Sequence, residues 1–297
     1  MEEEYSSSED EDCPLFGTAM SGVTLEDEEE DDVGGFGQEL GAQLTEKQQN
    51  HSARLAQNVS IAQTSIENLK STHRYFDKDF VIECFADNNV QTNIRSIGKT
   101  LWKSATMLAA FFENNVGTKS IPRLSSIENL NVLELGAGTG LTGLVLACKA
   151  KRVILTDHPS QIKQLEHNCN INKSLFSNSD VVSVCSLDWD LAEKEIERSP
   201  VLSSSKLDLI VASDCVYFEE LQEPLFNTIK ALLRRNPSAT LVFGFEKRYA
   251  HSQAFFQRLL NELGLIIYKV PNEAMANSQN SNLWGILYMY RKPESET

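Results

Sequence analysis

Val132-Leu133-Glu134-Leu135-Gly136-Ala137-Gly138-Thr139-Gly140 is an apolar strand that runs straight into a loop with glycine at every second position. Glycine reaches positive φ at little cost and lets a ligand lie against bare backbone. The following segment, 141–150, has the apolar content of a buried helix, and a helix start aims N–H groups at an anion. Strand, glycine loop and helix together open an α/β sheet, whose ligands bind beyond the carboxyl ends of the strands. The next strand, 152–156, is followed by Asp157, about where an acid reaches the ribose hydroxyls of a nucleoside cofactor.

The loop can be read in two registers. Gly138, Gly140 and Gly143 fit the dinucleotide pattern GxGxxG, but that register begins past the strand end and runs into the helix. The register that starts at the strand end is Glu134-x-Gly136-x-Gly138-x-Gly140, with a carboxylate in front and no pyrophosphate to accommodate. A ligand carrying an amino group, a carboxylate and a ribose suits it, and S-adenosylmethionine has all three. A nicotinamide dinucleotide and a purely structural turn remain the alternatives at this point.

Outward from the loop, strands and helices alternate. Helix 101–113 precedes it, with Leu101, Met107, Leu108, Phe111 and Phe112 on the buried side. After strand 152–156 come helix 160–172, strand 181–187, strand 207–212, helix 219–235, strand 239–245 and helix 251–263, which Gly264 closes at C′. Strands 265–270 and 283–290 have no helix between them and are expected to pair as an antiparallel edge hairpin. The pattern predicts a Rossmann-like, doubly wound α/β fold with a seven-stranded, mostly parallel sheet. Segments 79–85 and 90–95, flanking Asp87-Asn88-Asn89, predict a small β-hairpin ahead of it. Thr45-Glu46-Lys47-Gln48 reads as a capping box, and Leu55, Val59, Ala62, Ile66 and Leu69 place one apolar stripe on a helix over 46–71. The division expected is an acidic, disordered tail over 1–43, a linker helix within 44–74, and the α/β domain over 75–297.

The net charge of -15 is confined to one end. Residues 1–50 carry 16 acidic side chains and a single Lys47, so the remaining residues hold 26 charges of each sign. Such a neutral body is a poor general binder of phosphate backbones, so no nucleic-acid partner is expected. The tail's acidic blocks repel themselves and bury little apolar area, which favours disorder. Ser6, Ser7 and Ser8 each have an acid three residues on, as an acid-directed kinase reads a site. No apolar run approaches the roughly 20 residues that cross a bilayer. Met1-Glu2-Glu3-Glu4 is the opposite of the basic start of a signal peptide. The six cysteines show no CxxC spacing, so neither a metal site nor a disulfide frame is expected. These features lead to the expectation of a cytoplasmic protein, with the nucleus as an alternative, and of a monomer with no membrane partner.

Two later stretches bring chemistry to the same sheet edge. Ser213-Asp214-Cys215-Val216-Tyr217 follows strand 207–212 and places a carboxylate and a phenol there. Ser186-Leu187-Asp188-Trp189-Asp190 closes strand 181–187 with an indole that can pack on an adenine ring. Taken alone, such a Trp usually fills a core and such a Tyr usually anchors packing. His158 reads as a rim residue and His167 as an ordinary helix-surface residue.

Residues 75–297 resemble the seven-β-strand methyltransferases, and more narrowly the methyltransferase-like protein-lysine N-methyltransferases grouped as family 16. The resemblance rests on Leu101-Trp102-Lys103-Ser104-Ala105, the Glu134–Gly140 loop, Leu187-Asp188-Trp189, and D-x-x-Y as Asp214–Tyr217, in that order. It implies that Trp102, Gly136, Ala137, Gly138, Asp157, Trp189 and Ser213 line the pocket for S-adenosylmethionine, a set to which the loop register adds Glu134. It also implies that Asp214 and Tyr217 face an incoming lysine, with a chaperone or translation elongation factor as substrate. Ala137 and Ser213 match the family pattern weakly, and the segment before residue 75 lies outside the resemblance. The rival readings are a small-molecule or nucleic-acid methyltransferase, or a non-catalytic adaptor or chaperone. The first is weakened because no N-P-P-Y-type motif stands at 213–217.

Overall fold

The computed structural model describes residues 69–85, 99–115, 126–246, 250–270 and 284–291. The expected tail, most of the linker helix and the segment 90–95 lie outside the described residues.

Central strands that are apolar on both faces need cover on both sides. In β3 (Asn131–Leu135), Val132 joins the core on one face of the sheet while Leu133 and Leu135 join that on the other. The same alternation separates Leu209 and Val211 from Ile210 and Ala212 in β6 (Leu209–Ser213). One core is covered by α1 (Lys103–Asn115), α2 (Leu141–Leu146) and α3 (Ile162–Asn172). The other is covered by α4 (Ala192–Arg198), α5 (Gln222–Arg235) and α6 (Ala250–Leu263).

With β4 (Arg152–Asp157), β5 (Val182–Ser186), β7 (Thr240–Glu246), β8 (Leu265–Lys269) and β9 (Trp284–Arg291), the sheet has seven strands in the order β5-β4-β3-β6-β7-β9-β8. Strands β3 to β7 are parallel, and β9 is antiparallel to both β7 and β8. The chain starts at the centre on β3, winds outward to β5, then crosses to β6 on the other side. That reversal leaves a crevice at the carboxyl ends of β3 and its neighbours. The doubly wound sheet and its antiparallel edge stand as expected, and Gly264 closes α6 at φ 62°.

The N-terminal hairpin is present, with one strand over the expected segment 79–85 and the other ahead of it. β2 (Lys78–Cys84) pairs along its length with β1 (Leu69–Tyr75), a partner that precedes it in the chain. β1 therefore takes residues 69–71 away from the expected helix and runs across the expected boundary at 74/75. Its turn carries Phe76 and Asp77, both at positive φ, the requirement of a type I′ turn that asparagine and glycine usually meet. The bulky Phe76 is held there by contacts. Its N–H donates to Glu113 Oε1 at 2.6 Å, its ring packs on the core, and the Lys149 ammonium lies 5.5 Å above it.

Candidate active site

The glycine loop leaves β3 with Gly136, Gly138 and Gly140 all at positive φ. At Gly136 the lack of a side chain also makes room. A Cβ there would lie 2.8 Å from Cys215 Sγ and 3.2 Å from the Trp189 ring, so loop, thiol and indole are pressed together. Backbone bonds then set the loop's path, since Ala137 N–H donates to Thr156 O and Gly140 N–H to Ala137 O.

Asp157, at the end of β4, is buried and accepts two backbone bonds: Gly138 N–H at 2.6 Å and His158 N–H at 2.7 Å. Burial pushes its carboxyl up to about 6, against the pull of those two donors. It thus braces the loop and still lines the pocket.

Glu134 does not line the pocket, which corrects its expected place against the ligand. It points behind the loop, 1% exposed, and accepts the Gly143 N–H at 2.8 Å. Its position on β3 explains this, because Glu134 shares a face with Val132, toward α2, while the ligand crevice lies past the strand's end. Burial, with the nearby Asp157 charge, pushes Glu134 up to about 8, so it is mainly protonated at neutral pH.

The other predicted residues converge on one pocket. Trp102 enters just ahead of α1, and Gly136, Ala137 and Gly138 form the floor. Trp189 follows β5, while Ser213, Asp214 and Tyr217 come from the end of β6. Asp188, at the same edge, caps the turn after it by accepting the Asp190 N–H at 3.1 Å, and its own N–H donates to Glu195.

Asp214 is 8% exposed and at φ 55°, and its N–H donates to Gly244 O at 2.7 Å. Cys215 is turned inward, with Sγ 3.2 Å from Leu135 O, and burial raises its thiol well above the usual range. Tyr217 packs on Phe218, and burial keeps its phenol protonated, so it acts as a neutral wall.

The pocket also uses Thr139, Cys215, Phe218, Leu221 and Pro224, which sequence reasoning did not single out. Cys215 stood inside a quoted motif, but its neighbours there carried the chemistry. Phe218, Leu221 and Pro224 stand where strand passes into helix, and nothing in their spacing separates a pocket wall from core. His158 lines the pocket beside Asp188, as its rim reading implies. His167 is not an ordinary surface residue: it bonds Glu83 Oε2 at 2.8 Å and its ring packs on Phe85, so it ties α3 to the hairpin.

Asp157, Asp188, Asp190 and Asp214 line the pocket, and no Lys or Arg does so among the described residues. Ser213 Oγ is buried there without a hydrogen-bond partner. Among the described residues no group of three potential ligands could hold a metal ion. A glycine cradle, an aromatic wall and four aspartates define a site for a small ligand that carries positive charge, on an open α/β sheet.

Residues 87–262 match the family model described as lysine methyltransferase, and the chain belongs to that family. The calmodulin-lysine N-methyltransferase of Arabidopsis thaliana is 30% identical over 167 residues, covering 55% of this chain and 50% of that protein. Protein-lysine N-methyltransferase EFM2 of Saccharomyces cerevisiae is 26% identical over 269 residues, 86% of this chain and 59% of its own length. The chain thus spans about half the length of the first of these relatives and 59% of the second. Among solved structures, the magnesium protoporphyrin IX methyltransferase of Synechocystis with bound SAM is similar at a TM-score of 0.41 and 16% identity, over 70% of this chain and 87% of that one.

Proposed function

We propose that the chain transfers a methyl group from S-adenosylmethionine to the amine of a lysine side chain in a protein substrate. The observation that carries this reading is the meeting of the glycine loop with Asp214 and Tyr217 in one pocket lined by four aspartates and by no Lys or Arg among the described residues.

The residues fit the donor. Gly136 offers backbone where a side chain would collide, Asp157 presents a carboxylate at the end of β4, and Trp189 offers an aromatic face. Ser213 Oγ has hydrogen-bonding capacity that the protein leaves unused. When bound, S-adenosylmethionine supplies an electrophilic methyl on a positively charged sulfur.

The chain's own part is chiefly positioning, because methyl transfer requires a neutral amine aligned with the sulfur–methyl bond. Asp214, buried and backbone-anchored, is placed to hold the amine by hydrogen bonds and to favour the charge that grows on nitrogen. Tyr217 and Phe218 form an aromatic wall for the aliphatic stem and its cationic end. The four acids that line the pocket favour both a cationic donor and a cationic product.

One relative is named for calmodulin and another, 26% identical over 165 residues, is the EEF1A lysine methyltransferase 3 of Xenopus tropicalis, which supports a protein substrate; the family resemblance narrows this to the chaperone or elongation-factor class. We further place the protein in the cytoplasm or nucleus as a monomer. Calorimetric titration with S-adenosylmethionine tests the reading. Saturable one-to-one binding is expected, and no binding removes the enzyme in favour of an adaptor on the same fold.

A further inference from the structure

Three amides stand four residues apart on one buried face of α3: Gln164, Asn168 and Asn172, all at most 2% exposed. Each meets a backbone N–H from alternate residues at the end of the hairpin. Val81 N–H donates to Asn172 Oδ1 at 2.9 Å, Glu83 N–H to Asn168 Oδ1 at 3.0 Å, and Phe85 N–H to Gln164 Oε1 at 2.8 Å. Two of the amides also return the bond. Asn172 Nδ2 donates to Val81 O at 2.7 Å and Asn168 Nδ2 to Glu83 O at 3.1 Å. The helix thereby serves as the missing strand neighbour of β2.

The match is geometric. Four helical residues rise about 6 Å, and two strand residues about 6.7 Å. After two steps the strand leads by roughly 1.4 Å, about one methylene. The residue at the far end of the row is the one with an extra methylene, Gln164 rather than asparagine.

Asn168 does something its two neighbours do not. Its Nδ2 also donates to Thr139 O at 2.9 Å, inside the glycine loop. The N–H of that same peptide, on Gly140, is held by Ala137 O at 2.8 Å. Both ends of the Thr139–Gly140 peptide are therefore tied, one of them through a side chain that also holds β2. The hairpin lies before residues 87–262, the span that the family model matches.

We propose that Asn168 is a positioning residue for the donor loop and couples the β1–β2 hairpin to donor affinity. The part concerning affinity rests on the S-adenosylmethionine reading of the pocket. The coupling is reciprocal, so donor binding tightens the hairpin as the hairpin tightens the loop.

Asn168→Asp and Asn172→Asp make a matched pair. Each keeps an acceptor for β2 and replaces a donor with oxygen, but only the first sets that oxygen against Thr139 O. Amide exchange by mass spectrometry, read without ligand, and S-adenosylmethionine Kd are measured for both full-length variants. Asn168→Asp is expected to speed exchange over residues 136–141 and to raise Kd, each by about tenfold or more. Asn172→Asp is expected to speed exchange in the hairpin while loop and Kd stay within about twofold of wild type.

Equal loop exchange and Kd in the two variants, or an Asn168→Asp protein that matches wild type, overturns the proposal. Should Asn168→Asp fail to fold, wild-type exchange with and without donor decides. Slowing over 79–85 as well as in the loop is expected, and slowing confined to the loop overturns the coupling. A wild type that binds no donor refutes the reading of the pocket instead, while ligand-free exchange still reports on Asn168.

Discussion

Asp214 adopts φ 55°, a region that costs a non-glycine residue about 1–3 kcal/mol and that Asp and Asn tolerate best. Its N–H bond to Gly244 O and its burial hold it there, and the residue lines the pocket just past the strand end. Alanine at 214 would lose the carboxylate and also the side chain that suits this backbone, so asparagine is the cleaner probe of its chemistry. Glu134 is the second residue with a measurable signature. Burial raises it to about 8 from an ordinary 4.5, so between those values the unfolded chain releases a proton that the folded chain keeps. The stability this contributes is full below pH 4.5 and is lost as pH rises through 8. Glu134→Gln removes the titration while keeping an acceptor for Gly143 N–H. It should melt progressively higher relative to wild type between about pH 5 and 9, by an amount of order a few kcal/mol at the alkaline end. Parallel melting curves across that range would show that Glu134 is ionised in the folded protein.

Helix α2 depends on its approach to the sheet. A Cβ at Gly143 would sit 2.1 Å from Leu155 Cδ2 and 2.6 Å from Glu134 Oε2. Alanine gains about 1 kcal/mol of helix propensity over glycine, against about 1–3 kcal/mol or more for forcing atoms into a packed core. Overpacking wins, so Gly143→Ala should lower the melting temperature, and a rise would contradict the close packing of α2 on β4. The sheet was legible in the sequence because β3, β4, β6 and β7 are short apolar runs, each followed by a helix pattern or a loop that leads into one. The convergence of Gly136, Asp157, Trp189 and Asp214 was legible for the same reason: a parallel sheet gathers the carboxyl ends of its strands. The described hairpin was not read because its turn, Phe76-Asp77, is stabilised by Glu113 and Lys149 from distant sequence, while Asp87-Asn88-Asn89, where the turn was expected, lies outside the described residues. Glu134 was misplaced because strand alternation points it away from the crevice. The amides of α3 gave no signal either, since buried Asn and Gln at helical spacing look like a polar helix face until β2 lies against them.

At the scale of the whole chain, the charge divides into an acidic first fifty residues and a balanced remainder. The pocket's acids belong to the remainder, at the ends of individual strands. Removing residues 1–43 should therefore leave turnover on a short lysine peptide unchanged, and a large loss would assign that segment a part in catalysis. The central claim is transfer to lysine through Asp214. Its most direct measurement is incubation of the full-length protein with methyl-labelled S-adenosylmethionine and cell lysate, wild type beside Asp214→Asn, followed by mass spectrometry of the labelled material. Wild type should place label on a lysine amine of a protein. The variant should place at least about a hundredfold less there while its donor Kd stays within about threefold of wild type. Label found on nucleic acid or a small molecule, or equal labelling by Asp214→Asn, would contradict the account.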